Sequence, residues 1–158
     1  MPAELVLGVI SDTHGLLRPE AIQALRGSDL ILHAGDVGSP DILEELRRIA
    51  PVKAVRGNVD NSPWCETLPQ TEVIEAGGLS LYMLHDLKQL DLNPAAAGFA
   101  AVICGHSHAP MNETRNGVLF FNPASAGPRR FKLPICVGKL RISDSSISGE
   151  IIELNLER

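Results

Sequence analysis

Cysteine is scarce and poorly spaced for pairing. Cys65, Cys104 and Cys136 are an odd number with no C-x-x-C pair, which argues against a disulfide frame or a thiolate zinc site and suits a cytoplasmic protein with free thiols. Basic runs are also missing. With 14 Lys and Arg against 19 Asp and Glu, the net charge is -5. The cationic patch that supplies most nucleic-acid affinity therefore has no source, and nucleic acid is disfavoured as a partner. No stretch approaches the roughly 20 apolar residues of a membrane span. The run "LVLGVI" is too short for a signal peptide and follows Glu4 in place of a basic flank. No internal repeat or low-complexity tract is visible.

The chain does have the balance of a folded domain, with 44% hydrophobic and 21% charged residues. Its 158 residues make residues 1–158 a single expected domain, long enough to bury about two-thirds of its unfolded surface. Cys104 and Cys136 lie in apolar runs and read as small core residues. Trp64 and Phe131 are candidate apolar contacts, with burial the default for each.

The run "ELVLGVIS" reads as a strand covered on both faces. A helix opening at Pro19 and Glu20 follows it, closed by Gly27 and Ser28. "DLILHAGD" gives a second strand. "SPDILEELRRIA" gives a second helix with Ser39 as its cap and Pro40 at its first position, and "PVKAVRGN" a third strand. This alternation predicts right-handed crossovers and a parallel sheet over the first sixty or so residues. The grammar then changes to hairpins: residues 71–86 around Gly77 and Gly78, 111–122 around Asn116 and Gly117, and 135–154 around a polar turn. Between the first two, "NPAAAGFAAVICG" predicts a short helix leading into a strand. The expected fold class is α/β, with two packed sheets and helices outside.

Chemistry collects at the predicted strand ends. Strand one runs into Asp12 and His14, strand two into Gly35 and Asp36, strand three into Gly57 and Asn58, the second hairpin strand into His85, and the later strand into Gly105, His106, Ser107 and His108. In α/β sheets ligands bind beyond the carboxyl ends of strands, so these residues converge despite their distance in sequence. In extended backbone, positions i and i+2 point the same way, which pairs Asp12 with His14 and His106 with His108. His33 lies inside its strand and reads as core. The resulting set is two carboxylates, one carboxamide and four imidazoles, suited to Mn, Fe, Zn, Ni or Co. Seven side chains exceed a tetrahedral site. Two cations about 3.5–4 Å apart, bridged by one carboxylate, would use them all, with Asp36 the bridge.

The motifs "DTH" (12–14), "GD" (35–36), "GNVD" (57–60), His85 and "GHSH" (105–108) together resemble the calcineurin-like metallophosphoesterases. The short chain resembles their compact YfcE-like phosphodiesterase group. The resemblance implies a four-layer α/β/β/α sandwich of two mixed sheets. One cation would take Asp12, His14, Asp36 and His108, and the other Asp36, Asn58, His85 and His106. It also implies two divalent ions, Mn first with Ni, Zn, Fe, Co or Mg as alternatives, and hydrolysis of a small phosphodiester by a metal-bridging hydroxide. Asp36 and Asn58 would then be catalytic. Asp60 is a further catalytic candidate, and Arg129 and Arg130 are candidate phosphate contacts. "NPASAGPRR" (122–130) is similar to the family's Asn-Pro-Gly-Ser loop, with Ala124 in place of glycine.

Two departures stand out. Val59 occupies the position where many relatives carry a histidine thought to protonate the leaving group, which predicts a preference for activated esters. Asp86 follows His85 where glycine is common. The competing readings are a binding scaffold like the retromer subunit of this fold, and a nuclease or phosphomonoesterase of the same superfamily. Self-association is left open.

Overall fold

The computed structural model describes residues 4–130 and 132–156, so the candidate contact Phe131 lies outside the described residues. Apolar runs become strands β1 (Leu5–Ile10), β2 (Leu30–His33) and β3 (Val52–Ala54), joined by helices α1 (Pro19–Leu25) and α2 (Pro40–Arg47). The α2 start follows the expected cap: Ser39 Oγ accepts from Asp41 N at 3.3 Å, with Pro40 in the first turn. The later strands are β4 (Thr71–Ala76), β5 (Leu79–Leu84), β6 (Ala101–Ile103), β7 (Met111–Arg115), β8 (Val118–Asn122), β9 (Cys136–Ser143) and β10 (Ser146–Glu153).

They form two mixed five-stranded sheets. The first has the order β10-β9-β1-β2-β3, in which the parallel β1, β2 and β3 are extended by the antiparallel hairpin β9–β10. The second has the order β4-β5-β6-β8-β7, with β5, β6 and β8 parallel. Their inner faces bury one aliphatic layer, Leu7, Val9, Leu32 and Leu140 against Ile74, Leu81, Met83 and Ile103. The α1 and α2 helices cover the outer face of the first sheet through Leu25, Leu43 and Leu46, and the half-buried Trp64 joins that cluster.

The outer face of the second sheet is covered differently from expectation. Tyr82, Leu84, Val102 and Phe120 are capped by Leu87, Leu90, Leu92 and Phe99, and the predicted helix at "NPAAAG" is a single turn. Asn93 Oδ1 accepts from Ala96 N, and the chain leaves by Gly98 at φ +85°. A run of four residues between Asn93 and a left-handed glycine is too short to nucleate a helix.

One ring locks the sheets together. Phe121 of β8 is fully buried, and a Cβ on Gly138 of β9 or Gly149 of β10 would sit 2.5 Å or 2.7 Å from it. The first sheet thus opens a slot in two adjacent strands that only side-chain-free residues leave wide enough. Phe121→Ala should cost about 3–5 kcal/mol in urea unfolding; a loss below about 1 kcal/mol would refute this role.

Candidate metal centre

The strands stop short of the residues they present. The loops beyond them hold Asp12, His14, Asp36, His106 and His108 at φ of +56°, +48°, +56°, +69° and +63°. The i, i+2 pairs are therefore aimed by left-handed backbone and not by extended chain. Asp and His tolerate that region better than most residues but still pay for it, so the surrounding contacts must hold the conformation.

Those contacts are specific. Asp12 Oδ2 accepts from Ser11 Oγ at 2.7 Å and His106 N at 3.1 Å, while Asp36 Oδ1 accepts from Val59 N at 3.0 Å. Each carboxylate has one oxygen pinned and the other turned inward. Asp12 Oδ1 lies 3.4 Å from His108 Nε2 and 3.8 Å from both His14 Nε2 and His85 Nε2. Asp36 Oδ2 lies 3.2 Å from His85 Nε2 and 3.7 Å from His14 Nε2. Asn58 Oδ1 approaches His85 Nε2 at 3.0 Å and His106 Nδ1 at 3.2 Å.

The ligand atoms fall into two groups, Asp12, His14 and His108, and Asp36, His85 and His106, each within 4.8 Å. The two histidines of "GHSH" thus divide between the groups. All seven predicted ligands meet at one place, with Asp36 reaching both groups. His33 stays outside, as read.

The donor set fits divalent cations on its own chemistry. Asp12 Oδ1 and His14 Nε2 are buried with no hydrogen-bond partner among the described residues, an arrangement proteins avoid unless something else satisfies the lone pairs. His85 Nδ1 donates to Ala34 O at 2.7 Å, which leaves a neutral ring's Nε2 as a lone pair facing Asn58 Oδ1. Two acceptors at 3.0 Å are compatible only across a cation or a proton. In the metal-free protein, burial disfavours the charged form of His85, but Asp36 and Asp12 outweigh it and raise its pKa. Burial likewise opposes ionisation of Asp12 and Asp36, yet both carboxyls are held below their usual range. For Asp12 the leading partner is His108, and for Asp36 it is His85.

Glycines admit these side chains. A Cβ on Gly57 would fall 2.1 Å from Asp36 Oδ1, and one on Gly105 2.0 Å from Ser11 Oγ. Asp60 is buried and committed: Oδ2 accepts from Gly57 N at 2.9 Å and Val37 N at 3.1 Å, and Oδ1 from Gly38 N at 3.2 Å. It ties the Asp36 loop to the Asn58 loop and acts as a positioning residue. Arg130 lines the same cleft as His106 and Ser107, whereas Arg129 lies in a different cleft and donates to Leu133 O. Asp86 caps Lys88 N through Oδ1, with Oδ2 3.8 Å from His106 Nε2.

A supporting layer surrounds the ligands, part of it in the 122–130 loop that the sequence singled out. Asn122 Nδ2 donates to Gly105 O at 2.9 Å, and Ser125 Oγ donates to Asp12 O at 3.0 Å. Fully buried His33 accepts from Gly35 N at Nδ1 and meets Thr13 Oγ1 at Nε2, whose hydroxyl donates to Val37 O. A polar residue adjoining a ligand, such as Ser11 or Thr13, was the available signal.

The profile of the calcineurin-like phosphoesterase superfamily domain matches residues 5–145. A probable metallophosphoesterase of Methanothermobacter thermautotrophicus is 38% identical, over 94% of this chain and 92% of its own. Among solved structures, an archaeal phosphodiesterase superposes with TM-score 0.77 at 21% identity, covering 94% of this chain and all of the other. Vps29 of Entamoeba histolytica, solved with zinc, gives 0.72 at 23%, covering 96% of this chain and all of its own. The chain belongs to the calcineurin-like phosphoesterase superfamily.

Asp60→Asn, which keeps the fold but loses acceptors for the two loops, should weaken divalent-metal binding about 10–100-fold by calorimetry; unchanged affinity would remove its positioning role. Burial lowers the His33 pKa from 6.5 to about 4, against the pull of Asp12 and Asp60. Below pH 6.5 the unfolded chain takes a proton that the folded one refuses. Metal-free protein should therefore lose about 2 kcal/mol from this residue between pH 7 and pH 5. Urea unfolding of His33→Gln should show a slope with pH shallower by that amount.

Proposed function

We propose that this metallophosphoesterase is a phosphodiesterase working through a dinuclear centre. The observation that carries the reading is the pair of ligand groups joined through Asp36, with the buried acceptors Asp12 Oδ1 and His14 Nε2 left open in the first of them. Asp12, His14, Asp36 and His108 would hold one cation, and Asp36, Asn58, His85 and His106 the other. Manganese is our first choice, on the oxygen and imidazole donors and the absence of thiolate. Two such ions supply a water-derived nucleophile at neutral pH and neutralise charge on the phosphoryl oxygens.

The chain's own contribution is rigidity. Ser11 and the His106 backbone fix Asp12, the Val59 backbone fixes Asp36, and Ala34 O fixes the His85 tautomer, so the ligands need no reorganisation when charge develops. Arg130, which lines the same cleft as His106, would meet a phosphoryl oxygen or an acidic substituent. Val59 has no transferable proton, and Asp60 spends its carboxylate on backbone. The leaving group must therefore depart with little protonation, which favours aryl over alkyl esters. The archaeal phosphodiesterase of the same fold supports diester over monoester substrates. The three free, buried cysteines support a cytoplasmic setting, and no helix among the described residues is long and apolar enough to cross a membrane.

The Vps29 likeness keeps a scaffold as the second reading. The intact ligand set favours the enzyme, because a surface used only for docking does not need buried, unpartnered acceptors.

Chelator-stripped protein, assayed with Mn, Ni, Zn or Mg, should cleave bis-p-nitrophenyl phosphate in preference to p-nitrophenyl phosphate. Asp36→Asn and His106→Ala should each lose at least about 100-fold in kcat/KM. An alkyl diester should react at least about 100-fold more slowly than the aryl one. Absence of diester hydrolysis with every metal would favour the scaffold.

A further inference from the structure

Two clefts leave the metal centre in different directions, and their chemistry differs. The first, of about 500 Å³, runs from Asn58 and His85 toward Gln70, Thr71, Gln89 and Asp91. The second, of about 560 Å³, runs from His106 and Ser107 over Leu87, Cys104 and Met111, with Lys88 and Arg130 beside them. Asp86 lines both and forms the wall between them. Each is within the size range of a small-molecule site.

We infer that these clefts are the two alcohol subsites of an unsymmetrical phosphodiester: a neutral, hydrogen-bonding arm such as a nucleoside lies along Gln70 and Gln89, and an apolar arm lies along Leu87 and Met111. This deepens the phosphodiesterase reading above and rests on it.

The first cleft is lined by the amides of Gln70 and Gln89 and by the hydroxyl residues Thr71 and Tyr82, which reward an arm rich in donors and acceptors and penalise one that leaves them unpaired. Its charge balance argues against an anionic arm. Asp86 and Asp91 both face it, and the Arg56 guanidinium is turned to Leu68 O at 3.2 Å. The second cleft is the more apolar: half-buried Leu87 and Met111 and buried Cys104 line it from the apolar cluster outside the second sheet, which meets the first cleft through Tyr82 and Leu84. Lys88 and Arg130 at this cleft allow an acidic substituent on the apolar arm. A monoester would fill one cleft and leave the other to water. A diester centred on the phosphorus site has an arm for each, on either side of the Asp86 wall.

The test compares two substrates that release the same p-nitrophenolate. The p-nitrophenyl ester of thymidine 5′-monophosphate has one arm of each kind, whereas bis-p-nitrophenyl phosphate has two apolar arms. The manganese-loaded protein should show a KM roughly tenfold lower for the mixed ester. The double variant Gln70→Leu, Gln89→Leu changes exposed positions only and should bring the KM ratio to near one. Met111→Gln, close in size, should raise KM for both substrates and keep the ratio. Diester cleavage with equal KM values, or a ratio unmoved by the double variant, would overturn the cleft assignment and leave the phosphodiesterase reading standing. Failure to cleave either diester would overturn both.

Discussion

Everything in this molecule answers to one electrostatic difficulty: two buried carboxylates and four imidazoles point lone pairs at a common point. Such a cluster repels itself and forgoes hydration, at a cost of several kcal/mol when nothing positive sits among the groups. The protein meets the difficulty by fixing only half of each carboxylate. Ser11, the His106 amide and the Val59 amide take one oxygen of Asp12 and Asp36, and the inward oxygens are left for cations. The left-handed backbone at five ligands belongs to the same solution. It aims donors at a point that extended strands would pass by, and it survives because neighbouring loops over-determine it.

The two-sheet sandwich serves that end. Asp12, Asp36 and Asn58 follow strands of the first sheet, while His85, His106 and His108 follow strands of the second. The centre therefore forms only where two separately built layers are brought into register. Asp60 and Asn122 work on opposite sides of this seam, one bracing the loops of the first sheet and the other those of the second. Loss of either would be felt as a change in geometry and not in chemistry.

The ligands were legible in the sequence because each follows an apolar strand, and strand ends in α/β sheets converge. The parallel half and the hairpins were legible from Pro19, Ser39, Pro40 and the Gly77–Gly78 turn, which punctuate the chain chemically. The direction of individual rings was legible from the family resemblance, which put His106 and His108 on different cations, but not from their spacing, which paired them. His106 and His108 are each held in left-handed backbone and fall into different groups, a property of the loop's tertiary contacts that two-residue spacing does not encode. The helix expected over "NPAAAG" failed for the opposite reason, since alanine favours helix but one turn bounded by Asn93 and Gly98 never repays nucleation. Asp60 read as a catalytic candidate by position alone; only its three backbone partners reveal what the carboxylate does.

Phe121 and the glycine slot facing it carry an evolutionary implication. The ring sits one residue before Asn122 and bridges the two layers that share the metal centre, so it acts as an alignment pin for the ligand halves. A side chain at Gly138 or Gly149 would push against that pin and shift one layer past the other. Positions 121, 138 and 149 should therefore change together or not at all among relatives. A larger residue at either glycine would be tolerated only alongside a smaller one at 121, and drift at these three sites would travel with altered metal preference even where all seven ligands are retained.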